Sequence, residues 1–379
     1  TMASSLGAFA TLRRRRYDAV ALSPATLRRC KVGARYVDAT YDYYGLIVPN
    51  LLIIEEPYDL SHKTPRYSQN IIDLDWAIVR GRILSQVSFR SRSLARSFLK
   101  DVEEVLMECG LGGNKRLPLS DTMVVESISK GVYIASAISL LQPKIVFMDA
   151  ASYGGYKAIV CKACNDMGIV VAEAQHGVAN MYHPAYNYGA GYECRFGSYL
   201  PEYFLTYGEY WTEELRRLPA HKITIGYPYL GEYLSHLDGG SMGSSHGESD
   251  SSRVVLMISQ PTVAEQMLQA AVELDEGLPA NYSIVYKLHP MDRLRVPDRQ
   301  LLDRAGRIFV ASSCDTYDLL AACDIVVGGY STVLFEAMAF GRPVIALDTP
   351  IARRYLPARW VQFVSSADQL VDTVLESEQ

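Results

Sequence analysis

Short apolar runs separated by longer stretches of helical spacing dominate the chain. Residues 17–23 (YDAVALS) and 45–54 (GLIVPNLLII) are β-branched or aliphatic, bounded by turn residues, and predict strands. Residues 73–110 carry apolar positions at helical spacing and end on Gly110, which predicts two consecutive helices. A further helix is predicted over 121–142, a buried strand over 144–150, a helix near 155–167 and a strand over 168–178. Strands that alternate with helices imply a parallel sheet covered on both faces.

Residues 182–204 have no period and are rich in Gly, Tyr and Pro, which predicts an ordered loop of the kind that carries function. A short strand and a helix follow, and 223–230 (ITIGYPYL) predicts another strand. The pattern then breaks. Residues 238–252 hold four Gly and six Ser and no aromatic residue, as in a flexible linker. Beyond it the rhythm resumes with strands at 253–259, 282–290, 307–312, 324–331 and 343–348. Helices are predicted at 262–277, 315–323 (with Asp315 as N-cap), 332–341 and 366–378. We expect an α/β protein of two domains with parallel sheets, 1–237 and 253–379, joined by the linker, 238–252. The last helix is expected to pack back on the first domain.

The 379-residue length suits two domains, and 49% hydrophobic with 21% charged residues excludes wholesale disorder. A net charge of −5 argues against a dedicated nucleic-acid binder. Seven cysteines, an odd number in a long chain, argue against a disulfide scaffold. Cys161 and Cys164 form a lone CxxC within predicted helix; they read as core thiols, since a four-thiolate zinc site needs a second pair. No run of 18 apolar residues predicts a transmembrane helix. The basic run Arg13 to Arg16 has no apolar stretch after it, so no signal peptide is expected and the chain reads as cytoplasmic, at most peripheral at the inner membrane face.

In open parallel sheets, ligands bind beyond the carboxyl ends of the strands. Asp149, His176, His289 and Ser331 fall there. In GGYSTVLFE (328–336), the glycines, Gly329 among them, allow a tight turn. Ser331 and Thr332 open a helix whose N-terminus suits a phosphate, and Glu336 lies one turn on, in reach of ribose hydroxyls. The alternative for this segment is an N-cap serine with an exposed glutamate. In YKLHP (286–290), Pro290 ends the strand, and Lys287 and His289 share a side where they can neutralise phosphate. Ser259 and Gln260 stand at the end of the strand at 253–259 and are candidates for the same reason. In EAQHGV (173–178), His176 is a candidate general base, with Asp149 as rival base or nucleophile, or as a helix N-cap. Gln175, His183, Tyr186 and Tyr188 are further candidates around and after His176. Of 26 tyrosines, eight fall between 182 and 210, where rings can stack on sugars. No carboxylate stands at ligand spacing to His176 or His183, so no metal site and no cofactor is expected.

YKLHP followed by DLLAACDIVVGGYSTVLFEAMAFGRPVI resembles the C-terminal half of bacterial GT-B glycosyltransferases. More narrowly, it resembles enzymes with cytidine-activated donors: sialyltransferases, capsule Kdo transferases and CDP-glycerol glycerophosphotransferases. The resemblance spans 253–363 and implies two Rossmann-like domains. It implies that 1–237 is an acceptor domain, with Gln175, His183, Tyr186 and Tyr188 on the acceptor side. It implies that 253–379 is a nucleotide-sugar donor domain, in which His289–Pro290 and Ser331–Thr332 hold the nucleotide phosphate and Ser259 and Gln260 join the donor set. AQHGV resembles the Trp-His-Gly-Thr segment of the glycerophosphotransferases, which implies that His176 is the base. The chain departs at Thr332, where a second serine is usual, and at Gln175, where Trp is usual. UDP-GlcNAc 2-epimerases share the fold and a similar Ser-Glu turn. The resemblance thus implies transfer of a sugar, of Kdo or sialic acid type, from a CMP-linked donor to a bacterial surface polysaccharide or glycolipid. Polyol-phosphate transfer from CDP-glycerol and epimerisation of a UDP-sugar are the alternatives. The partners implied are a nucleotide-sugar donor and an oligosaccharide or lipid-linked glycan, with no nucleic acid.

Overall fold

The computed structural model describes residues 16–28, 30–58, 61–111, 117–191, 196–239, 252–289, 294–311 and 315–377. The Gly/Ser segment and Pro290 fall almost wholly or wholly outside them. The chain divides into two compact units, Thr1–Tyr229 and Leu230–Gln379.

The first unit holds strands β1 (Ala19–Pro24), β2 (Cys30–Val32), β3 (Arg35–Val37), β4 (Leu51–Glu56), β5 (Ile71–Asp73), β6 (Ile145–Asp149), β7 (Val170–Ala174), β8 (Tyr203–Thr206) and β9 (His221–Thr224). Its helices are α1 (Tyr41–Ile47), α2 (Asp75–Val87), α3 (Phe89–Glu108), α4 (Asp121–Leu141), α5 (Gly155–Asp166) and α6 (Glu209–Glu214). Seven strands form one parallel sheet in the order β5-β4-β1-β6-β7-β8-β9, and β2 and β3 form an antiparallel hairpin.

The near-continuous apolar runs are explained by burial on both faces. Val20, Leu22, Val146 and Met148 pack on one side against Ile134 and Ile138 of α4 and Val160 and Cys161 of α5. Ala19, Ala21 and Phe147 pack on the other against Tyr41 and Tyr44 of α1. Cys161 and Cys164 are buried single thiols in α5. Helix α4 is long and apolar enough to cross a membrane. Its apolar residues Ile134, Ala137 and Ile138 are buried in this unit, and a Cβ on Gly131 would stand 2.9 Å from the Tyr156 carbonyl of α5. Only glycine permits that helix–helix approach.

Residues 45–54 do not form one strand. Helix α1 runs to Ile47, Asn50 turns in the left-handed region (φ 54°), and β4 starts at Leu51. This stretch is organised by a buried ionic network that apolar periodicity does not signal. Arg28 bonds Asp42 and Glu55, both at 2.7 Å, and all three side chains are sealed from solvent. Arg66 adds a cation against Glu55 and Asp73. Burial opposes the His62 charge, but its Nδ1 stands 2.7 Å from Glu55, a contact that helps hold the His62 pKa above the ordinary value. Burial works against the Arg28 charge, but Asp42 and Glu55 outweigh it and hold its pKa above the ordinary value. Asp38 accepts the Thr40 and Tyr41 N–H groups at 2.9 Å and fixes the start of α1; burial raises its pKa to about 6.

The second unit holds β10 (Arg253–Ile258), β11 (Tyr282–Lys287), β12 (Ile308–Ala311), β13 (Ile325–Gly328), β14 (Val344–Leu347) and β15 (Gln362–Val364). Its helices are α7 (Pro228–Gly239, starting at the division), α8 (Ala264–Gly277), α9 (Val296–Arg304), α10 (Thr316–Ala322), α11 (Thr332–Ala339), α12 (Pro350–Tyr355) and α13 (Ala367–Glu376). The parallel order is β12-β11-β10-β13-β14-β15. The strand expected over 223–230 ends at Thr224, because Pro228 opens α7 at a position where its missing N–H is harmless. Helix α13 packs on α8 of its own unit: a Cβ on Gly277 would meet Val371 at 2.6 Å. The core residues Val255, Met257, Ile284 and Val327 sit with Met267 and Leu274 of α8.

Candidate functional site

In the second unit the strand order reverses between β10 and β13, which opens a crevice beyond their carboxyl ends. Gln260 follows β10, and its side-chain oxygen accepts the Tyr330 N–H at 2.8 Å, tying the two loops across the switch point. A Cβ on Gly329 would lie 2.8 Å from Val263 and 3.0 Å from that Gln260 oxygen, so the residue must be glycine for the strap to close. Ser331 is the N-cap of α11; its hydroxyl oxygen accepts the Val333 N–H at 3.3 Å. The N-cap alternative is therefore realised, and it leaves the hydroxyl proton for an incoming oxygen. Thr332 and Glu336 lie half-buried at the first and second turns of α11.

His289 is half-buried just past β11, and Lys287 is buried at its last position. Ser259 is buried, and its hydroxyl receives the Tyr286 hydroxyl at 3.3 Å, so it supports the floor of the site from within the core. Beside these residues lies a cavity of about 280 Å³ lined by Pro261, Glu265, Tyr286, Leu294 and Arg295.

In the first unit the order reverses between β1 and β6. Asp149 ends β6, and Ala150 after it adopts a left-handed conformation (φ 44°, ψ 33°), a strained geometry for a residue with a Cβ. Asp149 is not a helix cap: Gly154 caps α5. The Asp149 carboxylate is instead paired with Lys157 at 2.8 Å, and the Lys157 ammonium also donates to the Asp149 carbonyl at 2.7 Å. Both residues are buried.

His176 follows β7. Burial lowers its pKa; Asp149 opposes that shift and Lys157 adds to it. Its Nδ1 is buried and makes no hydrogen bond in the structure. Its ring stands 5.4 Å from that of Tyr153, which in turn lies 5.2 Å from His183 and donates or accepts at 3.0 Å with the His183 Nε2.

Sequence reasoning missed what holds this cluster. Glu173 lies in β7, wholly buried. One of its oxygens receives the Ser152 N–H at 2.9 Å and the Ser152 hydroxyl at 2.5 Å, and the other receives the Tyr186 hydroxyl at 3.2 Å. Burial raises its pKa to about 7. A lone carboxylate inside the apolar run VVAEA was the available signal.

Two acceptor candidates are corrected. Gln175 is 1% exposed, donates to the Gly177 carbonyl and accepts the Tyr207 N–H at 2.8 Å. Tyr186 is 1% exposed and packed on Phe204. Both are spent on the interior and present nothing to a sugar. Tyr188 is half-buried, with its hydroxyl on the Ser152 carbonyl. Tyr153 and Tyr182 are rings in this region that face solvent. Glu55, His62 and Asp73 lie close enough to share a cation, but the Arg66 guanidinium already stands 3.1 Å from Glu55 and 2.7 Å from Asp73 and opposes a second cation there.

Residues 261–352 match the model of the CDP-Glycerol:Poly(glycerophosphate) glycerophosphotransferase family. The matched stretch begins beside Gln260 and contains Ser331, Thr332 and Glu336. A search of curated protein sequences finds no significant match to this chain. Among solved structures, UDP-GlcNAc 2-epimerase from Neisseria meningitidis bound to UDP-GlcNAc is similar at TM-score 0.55 and 12% identity, over 94% of this chain and 90% of that one. The MnaA–UDP co-structure from S. aureus is similar at 0.53 and 11%, over 95% and 87%. A glycotransferase of kitacinnamycin is similar at 0.50 and 12%, over 96% and 90%. The fold is therefore GT-B, with two units built on parallel sheets. The family match over residues 261–352 supports a group-transferring enzyme.

Proposed function

We propose that the protein transfers a group from a cytidine-activated donor to a hydroxyl acceptor on a bacterial surface polymer, without a metal. The observation that carries this reading is the donor crevice of the second unit: a strapped glycine turn feeding an N-capped helix, within the stretch that matches the glycerophosphotransferase family. Within the cytidine class, that match favours a CDP-linked polyol phosphate over a CMP-linked Kdo or sialic acid. The likeness to UDP-GlcNAc 2-epimerases is one of fold and does not choose the reaction.

On this reading the α11 N-terminus, the Ser331 and Thr332 hydroxyls and His289 bind the diphosphate and stabilise the leaving phosphate. Charge develops there as the bond to the transferred group breaks. Lys287 adds a fixed cation at the strand end, and the neighbouring cavity takes the base. In the first unit, His176 removes the proton of the acceptor hydroxyl. Its lowered pKa keeps it neutral, and so basic, at pH 7. For a CDP-linked donor, the acceptor oxygen bonds the β-phosphorus, the bridging bond breaks and CMP leaves with the electron pair.

The test is the shift in melting temperature with CMP, CDP, UDP and GDP. We expect stabilisation by CDP above UDP and GDP, and its loss in Ser331→Ala. Stabilisation by UDP alone refutes the cytidine donor.

A further inference from the structure

The α2–α3 corner of the first unit carries an unusual surface. Between Trp76 and Lys100 the chain has five arginines and one lysine and neither Asp nor Glu. The same stretch exposes large apolar side chains: Val87 and Phe89 are each 71% exposed, Leu94 64% and Phe98 55%, and Ile83 is exposed beside them. Leu94 and Phe98 are one turn apart on α3, and Arg90 is one turn before Leu94, so cation and apolar side chains share one side of the helix. Arg82, Arg90, Arg96 and Lys100 are exposed; Arg96 reaches Asp121 at 3.0 Å and lies over the Phe89 ring at 5.9 Å. The inward face of α3 is small and distinct, with Ala95 buried. Past Lys100 the sign reverses, with Asp101, Glu103, Glu104 and Glu108 completing the helix.

We infer that the corner formed by the end of α2 and the first half of α3 docks on an anionic phospholipid surface. Exposed aromatic and aliphatic side chains ringed by cations are what such an interface rewards. The rings enter the headgroup–acyl boundary while the arginines pair with lipid phosphates. The acidic second half of α3 points to a tilted approach, with the corner inserted and the C-terminal end held off. An acidic protein would satisfy the cations but not the isolated, protruding rings, and a duplex would leave those rings in water. The inference does not depend on the donor assignment, because none of these residues belongs to either crevice.

The experiment is flotation of the full chain with phosphatidylcholine vesicles, with and without about one third phosphatidylglycerol. Binding is expected on the anionic vesicles only and should weaken with salt. Each cation removed, as in Arg82→Ser or Arg90→Ser, should lower vesicle affinity about fivefold. Phe89→Ser with Phe98→Ser should lower it more than roughly tenfold. All four changes are at exposed positions, and far-UV circular dichroism with an unchanged melting temperature checks that the variants are folded. Independently, Phe98→Trp should shift its emission to the blue on anionic vesicles. No flotation with phosphatidylglycerol, equal flotation on neutral vesicles, or variants that float like the parent would each overturn the proposal. So would oligonucleotide binding that is lost in the arginine variants while vesicles are ignored.

Discussion

Replacing Glu173 by Gln tests how the first-unit cluster is held. Gln keeps the shape. Its carbonyl can stay where the Ser152 N–H and hydroxyl donate, and its amide can face the Tyr186 hydroxyl, which can accept instead of donate. Burial raises the Glu173 pKa from 4.5 to about 7 in the folded protein. Between those values the unfolded chain has released a proton that the folded chain retains, so folding stability falls as pH rises and levels off above about 7. The shift corresponds to about 3 kcal/mol over the window. Gln has no proton to lose. The difference in stability between variant and parent should therefore move in favour of Gln by about 3 kcal/mol from pH 4.5 to 7.5, mostly below pH 7. Other titrating groups, Asp38 among them, cancel in the difference. Urea titrations across this range, followed by the fluorescence of Trp211, which is buried in the same unit, measure it. A difference that stays constant with pH would mean that Glu173 is ionised throughout, with its three donors prevailing over burial, and would refute the reasoning.

Three further outcomes are expected. Gly329→Ala should push Val263 or break the Gln260–Tyr330 strap, abolishing nucleotide-induced melting shifts and lowering the melting temperature of the second unit; unchanged calorimetric affinity for CDP would count against the strap. Ser331→Ala should cost about 1 kcal/mol of stability through the lost N-cap, and CDP affinity besides, whereas Ser331→Thr should keep most of both; equal affinities in all three proteins would remove Ser331 from the donor site. His176→Gln should lower kcat by roughly a hundredfold to ten-thousandfold with donor affinity intact. In the parent, the acidic limb of the kcat profile should lie below the ordinary histidine pKa of 6.5, because burial holds the ring neutral; a limb above 6.5 would assign it to another group.

The fold was legible where the sequence signal is local. Two-sided burial writes itself as apolar runs, so β1, β6, β7, β10, β13 and β14 were readable, and Asp315 behaves as the N-cap it was read to be, accepting the Tyr317 N–H. The donor crevice was legible for the same reason, since turn glycines, cap and helix start are contiguous in GGYST. The first-unit cluster was not. Tyr153 and His183 are thirty residues apart, and Ser152 and Glu173 twenty-one, so only the sheet order brings them together. The tyrosine excess pointed to the correct region but not to the correct rings. Tyr186 and Tyr153 come from different loops, and only packing decides which is sealed and which faces water. The first half of 45–54 is helix end and turn instead of strand, in a stretch that charge rather than hydrophobic period orders.

That ionic network has a consequence for how this chain can vary. Arg28, Asp42 and Glu55 are fully enclosed: losing Arg28 takes from Asp42 its buried counter-ion, and losing either carboxylate leaves Arg28 with one partner instead of two. Breaking a buried pair costs about 3–5 kcal/mol, while exchanging the set for apolar residues of similar volume can be neutral. The three positions therefore form a ratchet. Single substitutions lead downhill into misfolding, and the alternative solution lies across a valley that a lineage crosses only with several changes at once. Sequence drift in the first forty residues of the sheet is thereby channelled into the surface, and a library that randomises these sites one at a time will report all of them as immutable.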